Sequence, residues 1–200
     1  MKLLLFSDLH ADVAAARRIA ELAVAADVLV GAGDFGNGRR QVRDCLERLA
    51  GIDRPAVLVP GNNESVEELE AAAAIWPTAR VLHGSGTPIG GREFFGLGGG
   101  VPVTPFGPWS YDFTEEQAAA LLAPCPAGAV LVSHSPPHGV LDVSSSGRRL
   151  GSTAVREAVL RVRPALVVCG HIHASAGRSE TLDGVPVVNA GPAGAWWELA

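Results

Sequence analysis

Cysteine is scarce in this chain. Cys45, Cys125 and Cys169 are the only three in 200 residues, and no two form a CxxC pair. That spacing excludes a disulfide framework and a Cys-rich metal knuckle, and the expected compartment is a reducing one, the cytoplasm. Positive charge is scarce as well. Sixteen basic residues face 21 acidic ones for a net charge of -5, and all but Lys2 of the basic ones are Arg. A wide basic footprint for nucleic acid is therefore not expected. No apolar run approaches the roughly 18 residues of a membrane span. Met1–Phe6 is apolar, but Ser7-Asp8-Leu9-His10 ends the run too early for a signal peptide. Internal repeats and low-complexity linkers are missing. What remains is a globular composition, 48% hydrophobic and 18% charged, which excludes a disordered chain and fits one domain over residues 1–200.

Short apolar runs alternate with Ala-rich amphipathic stretches. Lys2–Phe6, Val28–Gly31 and Ala56–Val59 predict buried strands. Between them, Asp12 predicts the cap of a helix reaching to about Ala25, and Arg39–Ala50 predicts a second helix. Ser65 with Glu68 forms a capping box for a third, ending before Pro77. This βαβαβα order predicts a parallel sheet covered by helices. Val81–Leu82, Thr87–Ile89 and Glu93–Leu97 predict short strands in hairpins, followed by a long Gly- and Pro-rich loop from Gly98 to Trp109. Thr114 with Gln117 caps another helix. Ala129–Val132 and Ala165–Cys169 predict strands around a helix starting near Ser152, and Val185–Val188 with Trp196–Leu199 predicts a terminal hairpin.

Five of these strands end in a potential metal ligand. The first leads to Asp8 and His10, the second to Asp34, the third to Asn62. The fourth leads to His134, and the fifth to His171 and His173. Loops begin where strands end, so one or two polar residues there need no explanation. Four of the six His gathered at strand ends with two Asp and an Asn do need one. In open α/β sheets the carboxyl ends of strands meet at the ligand crevice. Imidazole, carboxylate and amide oxygen suit two divalent or transition ions such as Mn, Fe, Zn or Ni. Asp34 is the candidate bridge between the ions, and Gly33, Gly61 and Gly170 are expected to let the backbone turn and leave room for a phosphate.

Asp8-Leu9-His10, Gly33-Asp34, Gly61-Asn62-Asn63-Glu64, His134 and Gly170-His171-Ile172-His173, in that order, resemble the five blocks of calcineurin-like metallophosphoesterases. The resemblance implies an α/β fold, a four-layer αββα sandwich of two mixed sheets flanked by helices. It implies one metal held by Asp8, His10, Asp34 and His173, and a second held by Asp34, Asn62, His134 and His171. It also implies hydrolysis of a phosphate ester by attack of a metal-bridging hydroxide. A narrower resemblance links Gly96–Gly100, Ser133–Asp142 and Gly151-Ser152 to a small-phosphoesterase branch with a Pro-Pro-x-Gly loop.

One position departs from the family pattern. The third block commonly carries His after Gly-Asn, a group that aids the leaving oxygen; here it is Asn63. Asn63 can donate a hydrogen bond to phosphate but cannot deliver a proton at neutral pH. That favours a phosphodiesterase on a small-molecule ester over a general monoester phosphatase. His138, four residues after His134, is the candidate substitute donor, with a solvated loop His as the plainer reading. Glu64 either orients the loop or begins the next helix. Arg39, Arg40, Arg148 and Arg149 either reach a phosphate or are solvated, and His83, Trp196 and Trp197 are expected to be structural. The competing functions are a non-catalytic metal-binding scaffold of the same fold and a nuclease. Retention of all seven ligand types opposes the first, and the acidic balance opposes the second.

Overall fold

The computed structural model describes residues 1–199; Ala200, the last residue of the expected domain, lies outside the described residues. The chain runs β1 (Lys2–Phe6), α1 (Val13–Ala23), β2 (Val28–Gly31), α2 (Val42–Leu46), β3 (Ala56–Leu58), α3 (Val66–Ala73), β4 (Ala79–Val81), β5 (Ser85–Ile89), β6 (Arg92–Leu97), α4 (Glu115–Leu122), β7 (Val130–Ser133), α5 (Thr153–Val162), β8 (Leu166–Cys169), β9 (Ser179–Leu182), β10 (Val185–Asn189) and β11 (Ala195–Glu198). One sheet has the order β11-β1-β2-β3-β4, the other β5-β6-β7-β8-β10-β9. Strands β1 to β4 pair in parallel, as do β6, β7, β8 and β10. Antiparallel partners close three of the four edges.

The apolar runs are continuous because both faces of the central strands are covered. Successive side chains point to opposite faces. Leu3, Leu5, Val28, Val30, Val130, Val132, Leu166 and Val168 meet between the two sheets. Leu4, Phe6, Leu29 and Leu58 face Ile19, Leu46, Leu69 and Trp76 of the first helical layer. Leu131, Val167 and Val187 face Leu122, Val155 and Val159 of the second. Three apolar layers between four structural layers make the αββα sandwich, and each fully buried Leu or Val contributes about 1.5–3 kcal/mol. The helix starts follow the expected capping. Asp12 accepts from the amides of Ala14 and Ala15, and Ser65–Glu68 and Thr114–Gln117 form complete capping boxes.

Two expectations are corrected. The second helix starts at Val42 rather than Arg39 and ends at Leu46. The Gly38 amide is bonded to the Asn63 side chain at 2.8 Å, the Arg39 amide to the Asn63 carbonyl at 2.8 Å, and Arg39 and Gln41 have φ of 68° and 63°. Residues 37–41 serve the neighbouring loop instead of a helical turn. The terminal hairpin is also different. Strand β10 pairs with β9, whose mostly exposed Ser-Glu-Thr-Leu sequence has no apolar alternation to reveal it. Strand β11 instead crosses to the other sheet, and Trp197 and Trp196 pair with Leu3 and Leu4 of β1. Trp197 packs against the layer between the sheets, while Trp196 is partly exposed with the Lys2 ammonium 4.4 Å from its ring centre.

Candidate metal centre

The carboxyl ends of β1, β2 and β3 from one sheet and of β7 and β8 from the other open on the same side of the sandwich. The loops that follow them carry all seven expected ligands. These loops turn sharply: Asp8, His10, Asp34 and His171 have φ of 55°, 45°, 59° and 65°, in the left-handed region. Such non-Gly residues cost about 1–3 kcal/mol each and persist where surrounding structure over-determines them. Here the surroundings are a short ladder beyond the sheet. The amides of Asp8, His10 and Ala11 donate to the carbonyls of Gly33, Asp34 and Phe35 at 2.8–2.9 Å.

The expected sharp turn holds at Gly33, but the room for a phosphate does not. Gly33 is needed for its φ of 91° and because a Cβ would strike Gly61 and the His134 ring. At Gly61 and Gly170 a Cβ would strike the Asp34 and Asp8 carboxylates. The space they clear is taken by ligand side chains rather than left for a phosphate.

The donor atoms converge. His10 Nε2 and His173 Nε2 are 3.0 Å apart, and His173 Nε2 is 3.5 Å from Asp8 Oδ1. The two Asp34 oxygens divide: Oδ2 lies 3.7 Å from His10 Nε2 and Oδ1 lies 3.6 Å from His134 Nε2. His134 Nδ1 sits 2.7 Å from the Ala32 carbonyl, which can only accept, so Nδ1 carries a proton and Nε2 is the nitrogen left to ligate. Asn62 Oδ1 is 3.3 Å from that Nε2. The Asn62 amide is oriented by Ser110, whose hydroxyl accepts from Asn62 Nδ2 at 3.1 Å and donates to Asp112 at 2.9 Å. His171 stands beside His134, ring centres 5.0 Å apart. Asp8, His10 and His173 form one group with ligand atoms within 4.8 Å of one another, and Asp8, Asp34 and His134 form another.

The electrostatics suit cations. Burial alone would raise the Asp8 carboxyl, but His173, His134 and the Ser7 hydroxyl outweigh it and hold the pKa at about 2. Burial and the neighbouring His134 push His171 down to about 4, leaving a neutral imidazole ready to ligate. A set of two carboxylates, an amide oxygen and four imidazoles, buried at Asp8, Asp34, Asn62 and His134 and open to solvent at His173, fits a transition-metal centre.

Several supporting residues were not singled out by the sequence. Ser7 donates to Asp8 Oδ2 and accepts from Gly191. Asn189, at the end of β10, donates to the Gly170 and Ile172 carbonyls and shapes the His171–His173 loop. Its only signal was an Asn closing an apolar strand, as Asn62 nearly does. Glu64 proves to be an orienting residue: fully buried, it accepts from the amides of Asp34, Phe35, Gly36 and Gly61 at 2.7–3.2 Å. Burial, with the nearby Asp34 charge, raises its pKa to about 7.

Asn63 is tied at both ends, donating from Nδ2 to Asp34 Oδ2 at 2.7 Å and accepting at Oδ1 from Gly38. The amide nitrogen carries a second N–H beyond the one given to Asp34, so the side chain can donate to a phosphate without giving up either bond. His138 is exposed and is not among the residues lining the cleft over the ligands. His83 is structural, its Nδ1 accepting from the Gly98 amide and its ring against Phe113. Arg39 pairs with Glu68 at 2.6 Å, and Arg149 with Asp142 at 2.6 Å.

The sequence matches the calcineurin-like phosphoesterase superfamily domain over residues 1–199. The chain belongs to this superfamily. Similar folds occur in TT1561 of Thermus thermophilus, with a TM-score of 0.77, 19% identity, and coverage of 96% of this chain and 90% of that one. The phosphopantetheinyl hydrolase of Mycobacterium tuberculosis has a TM-score of 0.60 at 16% identity, covering 95% and 88%. A protein described as a novel archaeal phosphodiesterase has a TM-score of 0.51 at 18% identity, covering 96% and 84%. No match was found among curated protein sequences. The superfamily uses dinuclear metal centres, and this calcineurin-like chain has Asp and His groups able to bind metal.

Proposed function

We propose that the protein is a dinuclear-metal phosphodiesterase acting on a small molecule. One ion is assigned to Asp8, His10, Asp34 and His173, the other to Asp34, Asn62, His134 and His171. The observation that carries this reading is the division of the Asp34 oxygens between His10 and His134, at 3.7 and 3.6 Å. When bound, such a metal pair supplies Lewis acidity to phosphoryl oxygens and lowers the pKa of a water towards neutrality. Mn is the first ion to load, with Fe, Zn and Ni fitting the same donors. Three free, buried cysteines fit the cytoplasm as its compartment, their thiols pushed up by burial, to about 12 for Cys45 and about 11 for Cys125.

The preference for diesters rests on Asn63. Its amide holds Asp34 and has no proton to release, so a leaving group departs without an acid at this position. Loss of a general acid costs about 10²–10⁴ in rate, most for basic alkoxides. The Mn-loaded protein is expected to cleave bis(p-nitrophenyl) phosphate faster than an alkyl phosphate monoester. Asn63→His is expected to narrow that gap by up to about 10². Faster cleavage of the alkyl monoester by the parent would overturn the diester preference. A folded protein that takes up metal but cleaves neither ester would return the scaffold reading, and one that takes up no metal would overturn the metal assignment.

A further inference from the structure

The loop that orients Asn62 also builds a wall beside the metal centre. Phe106 and Trp109 stack with ring centres 5.9 Å apart and planes 20° from parallel, yet they stay 52% and 41% exposed. Large aromatic rings left this open mark a contact surface. They line a cleft of about 550 Å³ together with the ligands His10, Asp34, Asn62, His171 and His173. Leu150 and the hydroxyl residues Ser144 and Ser145 line the same cleft.

The platform is held firmly. Trp109 directly precedes Ser110, whose hydroxyl bonds the Asn62 amide at 3.1 Å. The Tyr111 amide donates to the Asn62 carbonyl at 3.0 Å, and Arg39, anchored on Glu68, donates to the Trp109 carbonyl at 3.3 Å. Thr104 and Ser110 close the loop on Asp112. The rings are thus positioned against a metal ligand before any substrate arrives, which lowers the cost of binding. Among the described residues, no Lys or Arg lines the cleft. Selection falls to the flat apolar faces and the nearby hydroxyls.

We infer that the Phe106–Trp109 platform holds a planar aromatic group of the substrate, a nucleobase or an aryl ring, close to the phosphoryl centre. This rests on the phosphoesterase reading and adds its substrate class. The cleft volume suits a ligand of nucleotide size. A base stacks on the aromatic faces and offers its polar edge to a hydroxyl such as that of Ser145.

The test compares adenosine 5′-monophosphate with ribose 5-phosphate, which differ by the base alone. Inorganic phosphate and octyl phosphate serve as controls, and parent, Trp109→Ala, Trp109→Leu and Phe106→Ala proteins are loaded with Mn. Binding is read by tryptophan fluorescence and by competition against bis(p-nitrophenyl) phosphate. The nucleotide is expected to bind about tenfold tighter than the sugar phosphate and to quench the fluorescence. Both Trp109 variants are expected to bring that ratio to within about twofold and remove the quench, with inorganic phosphate binding unchanged. Phe106→Ala is expected to lower the ratio in the same direction. Equal binding of the two by the parent would overturn the subsite while leaving the phosphoesterase reading standing. Octyl phosphate binding as tightly as the nucleotide, and surviving Trp109→Leu, would assign the wall to an aliphatic chain instead. Absence of binding by every phosphate, inorganic phosphate included, would overturn the phosphoesterase reading and the subsite with it.

Discussion

The two halves of the metal centre differ in how they are held. Asp8, Asp34 and His134 have side chains 4%, 3% and 0% exposed, while His10 and His173 are 28% and 64% exposed. The inner ligands each have a dedicated partner. Ser7 and the His171 amide hold Asp8, Asn63 holds Asp34, and the Ala32 carbonyl holds His134. His10 and His173 mainly face each other and the carboxylates. The inner half thus has its donors fixed by the packed core, where reorganisation is costly, and the outer half is open to solvent. Fixed charge on one side and access on the other suit a centre that must exchange substrate without losing its ligand geometry.

The largest test of this contrast is Asp34→Asn, which removes the carboxylate whose two oxygens face His10 and His134. Activity is expected to fall by more than about 10², exceeding the 10–100-fold typical of outer partners. Metal content measured by elemental analysis is expected to drop with it. Retention of both metals with full activity would break the assignment of Asp34.

Glu64→Gln comes next. Gln keeps the shape but replaces one acceptor oxygen with a donor NH₂ facing backbone amides, leaving buried donors unpaired. Metal affinity, read by titration, is expected to weaken about 10–100-fold although Glu64 is not among the assigned ligands. An unchanged titration would show that the inner ligands do not depend on the loop Glu64 organises.

A matched pair sharpens the contrast in stability. His134→Ala empties a buried site and is expected to destabilise the metal-free protein by about 1–3 kcal/mol. His173→Ala is expected to cost less, because the side chain is 64% exposed and gives up only its contacts with Asp8 and His10. Denaturant unfolding of both variants measures the difference, and equal losses would erase the distinction between the halves. The smallest effect is expected from His138→Ala. This side chain is exposed and outside the cleft lining, so kcat/KM for alkyl esters should change by less than about twofold. A selective loss for poor leaving groups would restore His138 as the proton donor.

Much of the architecture was legible because its signals are local. Asp12, Ser65, Thr114 and Ser152 mark helix starts through hydrogen bonds spanning two or three residues. Strands buried on both faces announce themselves as apolar runs, and the residues following them are the candidate ligands. The failures arose where the deciding contact was distant. Helix α2 is cut short by bonds from Asn63 to residues 38 and 39. Strand β11 joins β1, near the opposite end of the chain, which no turn signal encodes.

The amino-acid sequence by itself determined the family, the seven ligand-type residues and the alternation of strand and helix. The family follows from the resemblance of five ordered motifs, and the rest from side-chain chemistry, hydrophobic period and spacing. Only the tertiary structure decided that Asp34 faces two ways, that Glu64 gathers four amides and that Asn63 bonds to Asp34. It also decided that Phe106 and Trp109 stand over the same cleft. Each of these depends on loops from different strands meeting at one edge of the sandwich, and the distances between them are set by packing rather than by sequence separation.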